Sequence, residues 1–121
     1  MEKPNAATIA WYDRSIPADP RAVKGQMFGH PCAFVNGNMF FGTFAQTLIA
    51  RVGESRVAVV GGGKLPVFEP MKAKPWKEYV QVAAGVISDA EVLALATEAL
   101  EHTAGLPPKA EGKKAAPKKK K

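Results

Sequence analysis

Residues 26–52 read QMFGHPCAFVNGNMFFGTFAQTLIARV and contain five of the six phenylalanines of the chain. Asn36 and Gly37 lie at the centre of this stretch, and apolar runs flank the pair on both sides. Both residue types tolerate positive φ, which a two-residue type I′ turn requires at its two central positions. The stretch therefore predicts a β-hairpin, and the alternation of residues 47–52 predicts a further strand after it.

Both faces of the second hairpin strand are apolar. Strict alternation assigns Met39, Phe41 and Thr43 to one face, and it assigns the other face to Phe40, Gly42 and Phe44. One face must cover the core beneath the helices, and the other is either covered as well or exposed as an interface. We predict that Phe40 and Phe44 belong to an interaction surface.

The remaining elements are predicted on both sides of the hairpin. Asn5 is a candidate N-cap for a short helix over residues 6–14, and Pro17 and Pro20 predict a loop after it. Residues 53–63 are ambiguous, because 56–60 are β-prone while three glycines follow. A short strand at Val67 and Phe68, a loop containing two prolines and a strand over residues 76–82 complete the predicted sheet.

The last helix has the clearest boundaries. Ser88 and Glu91 have the spacing of a capping box, in which each side chain accepts a hydrogen bond from the other's backbone N–H. Gly105 followed by Leu106 predicts a Schellman-type end, and the two prolines that follow prevent the helix from resuming. Together the elements predict an α+β fold for a domain spanning residues 1–108.

Charge divides the chain of 121 residues into two parts. Residues 109–121 hold seven lysines and one acidic residue, which accounts for the whole net charge of +6. The preceding part holds ten basic and ten acidic side chains, so the predicted domain is neutral. We predict that residues 109–121 form a disordered tail. The single cysteine excludes an intrachain disulfide, and no signal-like or membrane-spanning apolar run occurs, so we expect a cytoplasmic protein without a membrane partner.

No motif makes a positive case for an enzyme, a cofactor or a metal. Gly61-Gly62-Gly63-Lys64 suggests a phosphate-binding loop, but the first glycine and the final hydroxyl of that motif are replaced by Ala58 and Leu65, so a turn is favoured. His30 and Cys32 share a strand face, and with Tyr79 they define a candidate small-ligand pocket. A packed cysteine beside a hydrogen-bonded histidine is the simpler interpretation.

The lysine-rich segment allows two interpretations. It is either a solubilising appendage or an electrostatic arm that binds nucleic acid without sequence preference, since it lacks aromatic residues and arginine. The candidate nucleic-acid-binding residues are Lys109, Lys113, Lys114, Lys118, Lys119, Lys120 and Lys121.

The chain resembles the TfoX/Sxy N-terminal-domain family over roughly residues 9–108. The resemblance rests on Met-Phe-Gly at 27–29, on Phe-Val-Asn-Gly-Asn-Met-Phe at 34–40, on Phe-Glu-Pro-Met at 68–71 and on Lys-Glu-Tyr-Val-Gln-Val at 77–82, ahead of a helix from Ser88. It implies a two-layer fold with helices on one face of an antiparallel sheet, similar in plan to secretion chaperones, and a short helix within residues 53–60.

Members of that family include regulators of natural competence, which are thought to act with the cAMP receptor protein at promoters. Those regulators carry a second, C-terminal domain, whereas here a lysine-rich segment follows the first. The resemblance implies no catalytic residues. We therefore expect a small non-enzymatic regulatory or protein-interaction module. Its expected partner is a protein, with the transcription machinery and a second copy of the chain as candidates. A nonspecific nucleic-acid-associated protein and a small-ligand binder or enzyme are the alternatives.

Overall fold

The computed structural model describes residues 3–27, 29–71 and 74–107, with the side chain of Met71 not described. The elements in chain order are α1 (Ala6–Ser15), β1 (Val23–Met27), β2 (His30–Val35), β3 (Asn38–Phe44), β4 (Thr47–Arg51), α2 (Glu54–Val57), a 3₁₀ segment at Val60–Gly63, β5 (Val67–Met71), β6 (Lys74–Val82) and α3 (Asp89–Ala104). The short helix implied within residues 53–60 is therefore present as α2.

The six strands form one antiparallel sheet in the order β1-β2-β3-β4-β6-β5. α3 contacts β2, β3 and β4, and α1 contacts both β3 and α3. A sheet with helices packed against it is the α+β fold that the element pattern predicts. The edge strand β1 was not predicted, and Pro70 and Pro75, which were assigned to a loop, lie within β5 and β6.

The predicted turn at the hairpin is present. Asn36 has φ of 52° and Gly37 has φ of 80°, as a type I′ turn requires at both positions. The amide group of Asn36 donates to the carbonyl of Ala104, and that of Asn38 donates to the carbonyl of Pro107. The turn therefore also contacts the end of α3.

The main core lies between the helices and the sheet. Its fully buried members include Tyr12 from α1, Phe41 from β3, Leu48 from β4 and Val92 and Leu100 from α3. The rings of Tyr12 and Phe41 are stacked with centroids 5.8 Å apart. Burial of this apolar face, rather than intrinsic propensity, stabilises the ten-residue α1.

A β-bulge in β3 overturns the predicted assignment of Phe40. Phe41 pairs with Ala33 and Met39 pairs with Phe34, so Phe40 is an extra residue between two consecutive pairs. The bulge turns both Phe40 and Phe41 toward the helices, and Phe40 is fully buried in the main core. The prediction that Phe40 lies on an interaction surface is therefore wrong, because strict alternation fails at this position.

The two ends of α3 differ in how well they were predicted. The capping box is present: Ser88 Oγ accepts from the Glu91 N–H at 3.2 Å, and Glu91 accepts from the Ser88 N–H at 2.9 Å. At the other end Gly105 has φ of −80°, which is not the left-handed conformation of a Schellman motif. The Gly105 and Leu106 N–H groups instead donate to carbonyls three residues earlier, so the helix ends in a tightened turn.

Candidate interaction surface

A second apolar cluster covers the sheet face opposite the main core. All of its members come from strands, and we call it the aromatic face. Four are buried: Cys32, Met39, Ile49 and Phe68. Five are only partly buried: Met27, Phe34, Phe44, Trp76 and Tyr79. The described parts of the three helices contribute no side chain to this cluster, so its outer members remain accessible to solvent.

Aromatic rings form a continuous line across this face. Phe44 lies 5.8 Å from His30 and 4.9 Å from Phe68, measured between ring centroids. Phe68 lies 5.1 Å from Trp76, and Trp76 lies 5.1 Å from Tyr79. The last three contacts are edge-to-face, which suits the quadrupoles of aromatic rings. The line thus joins β2 at one side of the sheet to β5 and β6 at the other.

An irregular pairing at the far edge brings Phe68 into this line. Val67 pairs with Val80, yet the next residue, Phe68, pairs with Trp76. This jump lets β5 bend relative to β6. The Phe68 side chain therefore packs within the aromatic face and is only 1% exposed. Neither the central position of Phe68 nor that of Trp76 was predicted, because the register jump leaves no periodic signal in the sequence.

The three residues of the predicted small-ligand pocket belong to this face or contact it, but they are packed. The Cys32 thiol donates to the His30 carbonyl at 3.4 Å, and burial raises its pKa to about 11. His30 is buried beside Phe44, and the Tyr79 hydroxyl donates to the Met39 carbonyl at 3.1 Å. A protonated, buried thiol is a poor nucleophile, so this geometry favours the packing interpretation over a Cys–His catalytic pair.

A charged network borders the face at the end of β4. Arg51 binds Glu78 through two hydrogen bonds, Nε to Oε1 at 3.0 Å and Nη2 to Oε2 at 3.3 Å. His102 Nε2 lies 3.4 Å from the same Glu78 oxygen, and the Arg51 guanidinium lies 5.8 Å from the Tyr79 ring centroid. The hydrogen bond from Arg51 lowers the pKa of Glu78. This network was not predicted, because its members come from β4, β6 and α3.

A shallow depression of about 330 Å³ adjoins this network. It is lined by Glu54, Trp76, Lys77, Glu78 and Tyr79. Two aromatic rings with charged groups around them match the composition of protein-binding surfaces, in which aromatic anchors are surrounded by a polar rim.

Gly61, Gly62 and Gly63 all have positive φ in and around the 3₁₀ segment, as expected for a turn. In residues 3–27, 29–71 and 74–107 no three His, Cys, Asp or Glu side chains are grouped so that they could hold a metal ion. No helix of the described chain is both long and apolar enough to cross a membrane.

Of the predicted interaction residues, only Phe44 lies on the aromatic face. The seven lysines predicted to contact nucleic acid, and the predicted disorder of their segment, lie outside the described residues. The other four partly buried members of the face were not assigned to an interaction surface from the sequence: Met27, Phe34, Trp76 and Tyr79.

No protein-family model, no curated protein and no solved structure matches this chain.

Proposed function

We propose that this chain is a small non-enzymatic module that binds a protein partner through the aromatic face. The observation that carries the proposal is the cluster of five partly buried large side chains on a sheet face composed only of strand residues. A contiguous, partly exposed apolar surface on a small domain is typical of an interaction site. The resemblance to the TfoX N-terminal family supports a regulatory role in the cytoplasm, with a component of the transcription machinery as the partner.

Two features of the face suit protein recognition. Trp76 and Tyr79 are large and rigid, and tryptophan, tyrosine and arginine are the residue types that most often dominate binding energy at interfaces. Arg51 is held by Glu78 beside Tyr79, so the guanidinium is positioned before a partner arrives.

Affinity capture from cell extract with Trp76→Ser and a matched control tests the proposal. Leu93 of α3 is 42% exposed and belongs to neither apolar cluster, so Leu93→Ser changes an exposed apolar side chain elsewhere. Circular dichroism first establishes that both variants are folded. We expect wild type and Leu93→Ser to capture the same protein and Trp76→Ser to lose it. Equal capture by all three, or no capture above an empty-matrix control, would contradict the proposal.

The charge distribution supports a second candidate function. Residues 109–121 carry the entire net charge of +6, so we propose that they also supply nonspecific affinity for nucleic acid. If about five or six lysines meet phosphates, log K should fall against log salt with a slope of roughly −5 on duplex DNA. Base preference should be slight, because lysine ammonium groups contact phosphates and the segment has no arginine for bidentate contacts to base edges.

Fluorescence anisotropy at several salt concentrations tests this second function. The full chain is compared with a chain truncated after Pro108, on duplexes of two unrelated sequences. We expect truncation to remove most of the affinity and most of the salt dependence. If the truncated chain binds as tightly as the full chain, residues 109–121 do not carry the interaction.

A further inference from the structure

The two edges of the sheet differ in how open they are to pairing. β5 contains Pro70, and its pairing with β6 is interrupted twice by register shifts. β1 contains no proline, and it pairs with β2 without interruption over all five residues. Natural edge strands are usually protected by proline, bulges or charge. β5 has two of these devices, whereas the described part of β1 has neither proline nor a bulge.

The direction of the free hydrogen-bonding groups of β1 follows from its partner. Gln26 lies opposite Pro31, which has no N–H. The hydrogen-bonded pairs of this antiparallel ladder must therefore fall at Val23, Gly25 and Met27. The N–H and C=O groups of the two intervening residues, Lys24 and Gln26, consequently point away from β2.

The charge on this edge is already compensated. Lys24 is the one charged residue of β1, and lysine on an edge strand normally discourages pairing with another chain. Here the Lys24 ammonium forms an ion pair with Asp13 of α1 at 3.3 Å. The edge therefore carries little net charge around Lys24 and Gln26, the two residues whose backbone N–H and C=O groups point away from β2.

We infer that β1 is the interface of a homodimer, in which the β1 strands of two copies pair antiparallel about a two-fold axis at Gly25. This register makes Lys24 and the partner's Gln26 a hydrogen-bonded pair, so the outward N–H and C=O groups of both strands are satisfied. Gly25 meets its own copy at the closely spaced, non-hydrogen-bonded position on the axis, where opposing residues approach most closely. An isologous contact of this kind closes on itself.

The side chains of β1 are self-complementary in the same register. Val23, 60% exposed, lies opposite the partner's Met27, which is only partly buried. Lys24 lies opposite a neutral glutamine rather than another lysine. The Phe34 ring covers Gly25, because a Cβ built there would lie 3.0 Å from its Cε1 atom. The two Phe34 rings would therefore flank the axis, and pairing would join the two aromatic faces into one surface.

Gln26 provides a test based on the sign of an introduced charge. Gln26→Lys places a lysine opposite Lys24 twice per dimer, and Gln26→Glu places a carboxylate there. Cross-strand charge pairs of this kind should raise the dimer dissociation constant roughly threefold to tenfold for Gln26→Lys and lower it by a similar factor for Gln26→Glu. Ala94 is exposed on α3, so Ala94→Lys and Ala94→Glu are matched controls that should leave the constant unchanged.

Sedimentation equilibrium on the full chain measures these constants at low and high salt, up to roughly millimolar protein. We expect a reversible monomer–dimer equilibrium, with opposite shifts for the two Gln26 variants that shrink at high salt. Lys24→Pro removes the outward N–H of residue 24 together with the ion pair to Asp13, and it should abolish the dimer. If Lys24→Pro does not fold, the two Gln26 variants still test whether β1 forms the dimer interface.

Two results would overturn the inference. One is a monomer at every concentration. The other is a dimer whose dissociation constant does not respond to the charge at residue 26. The inference does not depend on the proposed function, and the two are separable: a dimer dissociated by Trp76→Ser but not by Gln26→Lys would place the contact on the aromatic face instead.

Discussion

At the scale of single residues, Cys32 leaves no room for a side chain at Gly42, its partner across the hairpin. The two are partners in the β2–β3 ladder, and a Cβ at Gly42 would lie 2.8 Å from the Cys32 Sγ and 3.3 Å from its Cα. The buried thiol therefore occupies the space that a side chain at residue 42 would need. Glycine is required there for close approach rather than for positive φ.

We predict that Gly42→Ala lowers the free energy of unfolding by about 1–3 kcal/mol through overpacking. Gly105→Ala is the matched control, because Gly105 has negative φ and its nearest contact is an ordinary 3.5 Å. That substitution should be neutral or slightly stabilising. Urea denaturation measures the free energy of unfolding of both variants. Equal decreases would show that the close approach of Cys32 does not make an alanine at residue 42 destabilising.

Tyr12 offers a second test at this scale. It is 1% exposed and stacked on Phe41, and burial raises the pKa of its hydroxyl well above the usual range. Its hydroxyl has no hydrogen-bond partner among the described residues. We predict that Tyr12→Phe preserves or raises the thermal midpoint, because removal of an unsatisfied buried hydroxyl costs nothing. Tyr12→Ala should lower the free energy of unfolding by about 3–5 kcal/mol. A marked loss with Tyr12→Phe would mean that the hydroxyl is bonded.

At the scale of elements, α3 depends on its first turn. The Ser88 hydroxyl and the Glu91 carboxylate satisfy two backbone donors, and the bond from the Ser88 N–H lowers the pKa of Glu91. We predict that Ser88→Ala costs about 1 kcal/mol as a lost N-cap. Denaturant midpoints measure the effect, with Ser88→Asp as a control that retains a capping oxygen. An unchanged midpoint for Ser88→Ala would show that the cap does not stabilise α3 in solution.

The pair Arg51–Glu78 links β4 to β6 and should make stability depend on pH. Its bond lowers the pKa of Glu78 below the ordinary 4.5, so the stabilisation is present above that value. It is lost as pH falls through the folded-state pKa, because the protonated carboxyl no longer pairs with the guanidinium. We predict that wild type is more stable than Glu78→Gln at pH 7 and that the difference narrows below about pH 4. Urea titrations across this range check it, and a constant difference would exclude charge pairing as the cause.

At the scale of the whole molecule, the described fold closes before the lysine-rich segment. Asn36 and Asn38 bond to the carbonyls of Ala104 and Pro107, and the Leu106 N–H donates to the Thr103 carbonyl. We predict that truncation after Pro108 leaves the thermal midpoint unchanged and that truncation after Ala104 lowers it, because the second removes the acceptor of Asn38. Differential scanning calorimetry compares both with the full chain. A lower midpoint after removal of residues 109–121 would show that this segment packs on the fold.

The aromatic face is also a property of the whole molecule, because its members come from all six strands. Cys32, Met39, Ile49 and Phe68 are buried on the side away from the helices, and partly buried rings surround them. Exposing such an apolar face to water costs free energy, which is recovered when a binding partner covers the face. The proposed partner would cover these rings, whereas the inferred β1 dimer would join two such faces edge to edge and cover only the side chains beside β1.

Features that depend on a few neighbouring residues could be predicted from the sequence. The Asn36–Gly37 turn, the Asn5 cap of α1 and the capping box of α3 are all present, because each is formed by side chains and backbone within about four residues. The hairpin and the class of fold followed from these signals together with apolar periodicity.

The candidate site was decided by tertiary structure. The bulge that buries Phe40 exists because packing of both Phe40 and Phe41 under the helices outweighs one regular ladder pair. The bend that carries Phe68 onto the aromatic face arises from the two register shifts in the pairing of β5 with β6, which no local periodicity in the sequence indicates. Local sequence determined where the chain turns and where helices begin. Which side chains share a face was decided by long-range packing, because burial free energy depends on neighbours that the sequence does not place side by side.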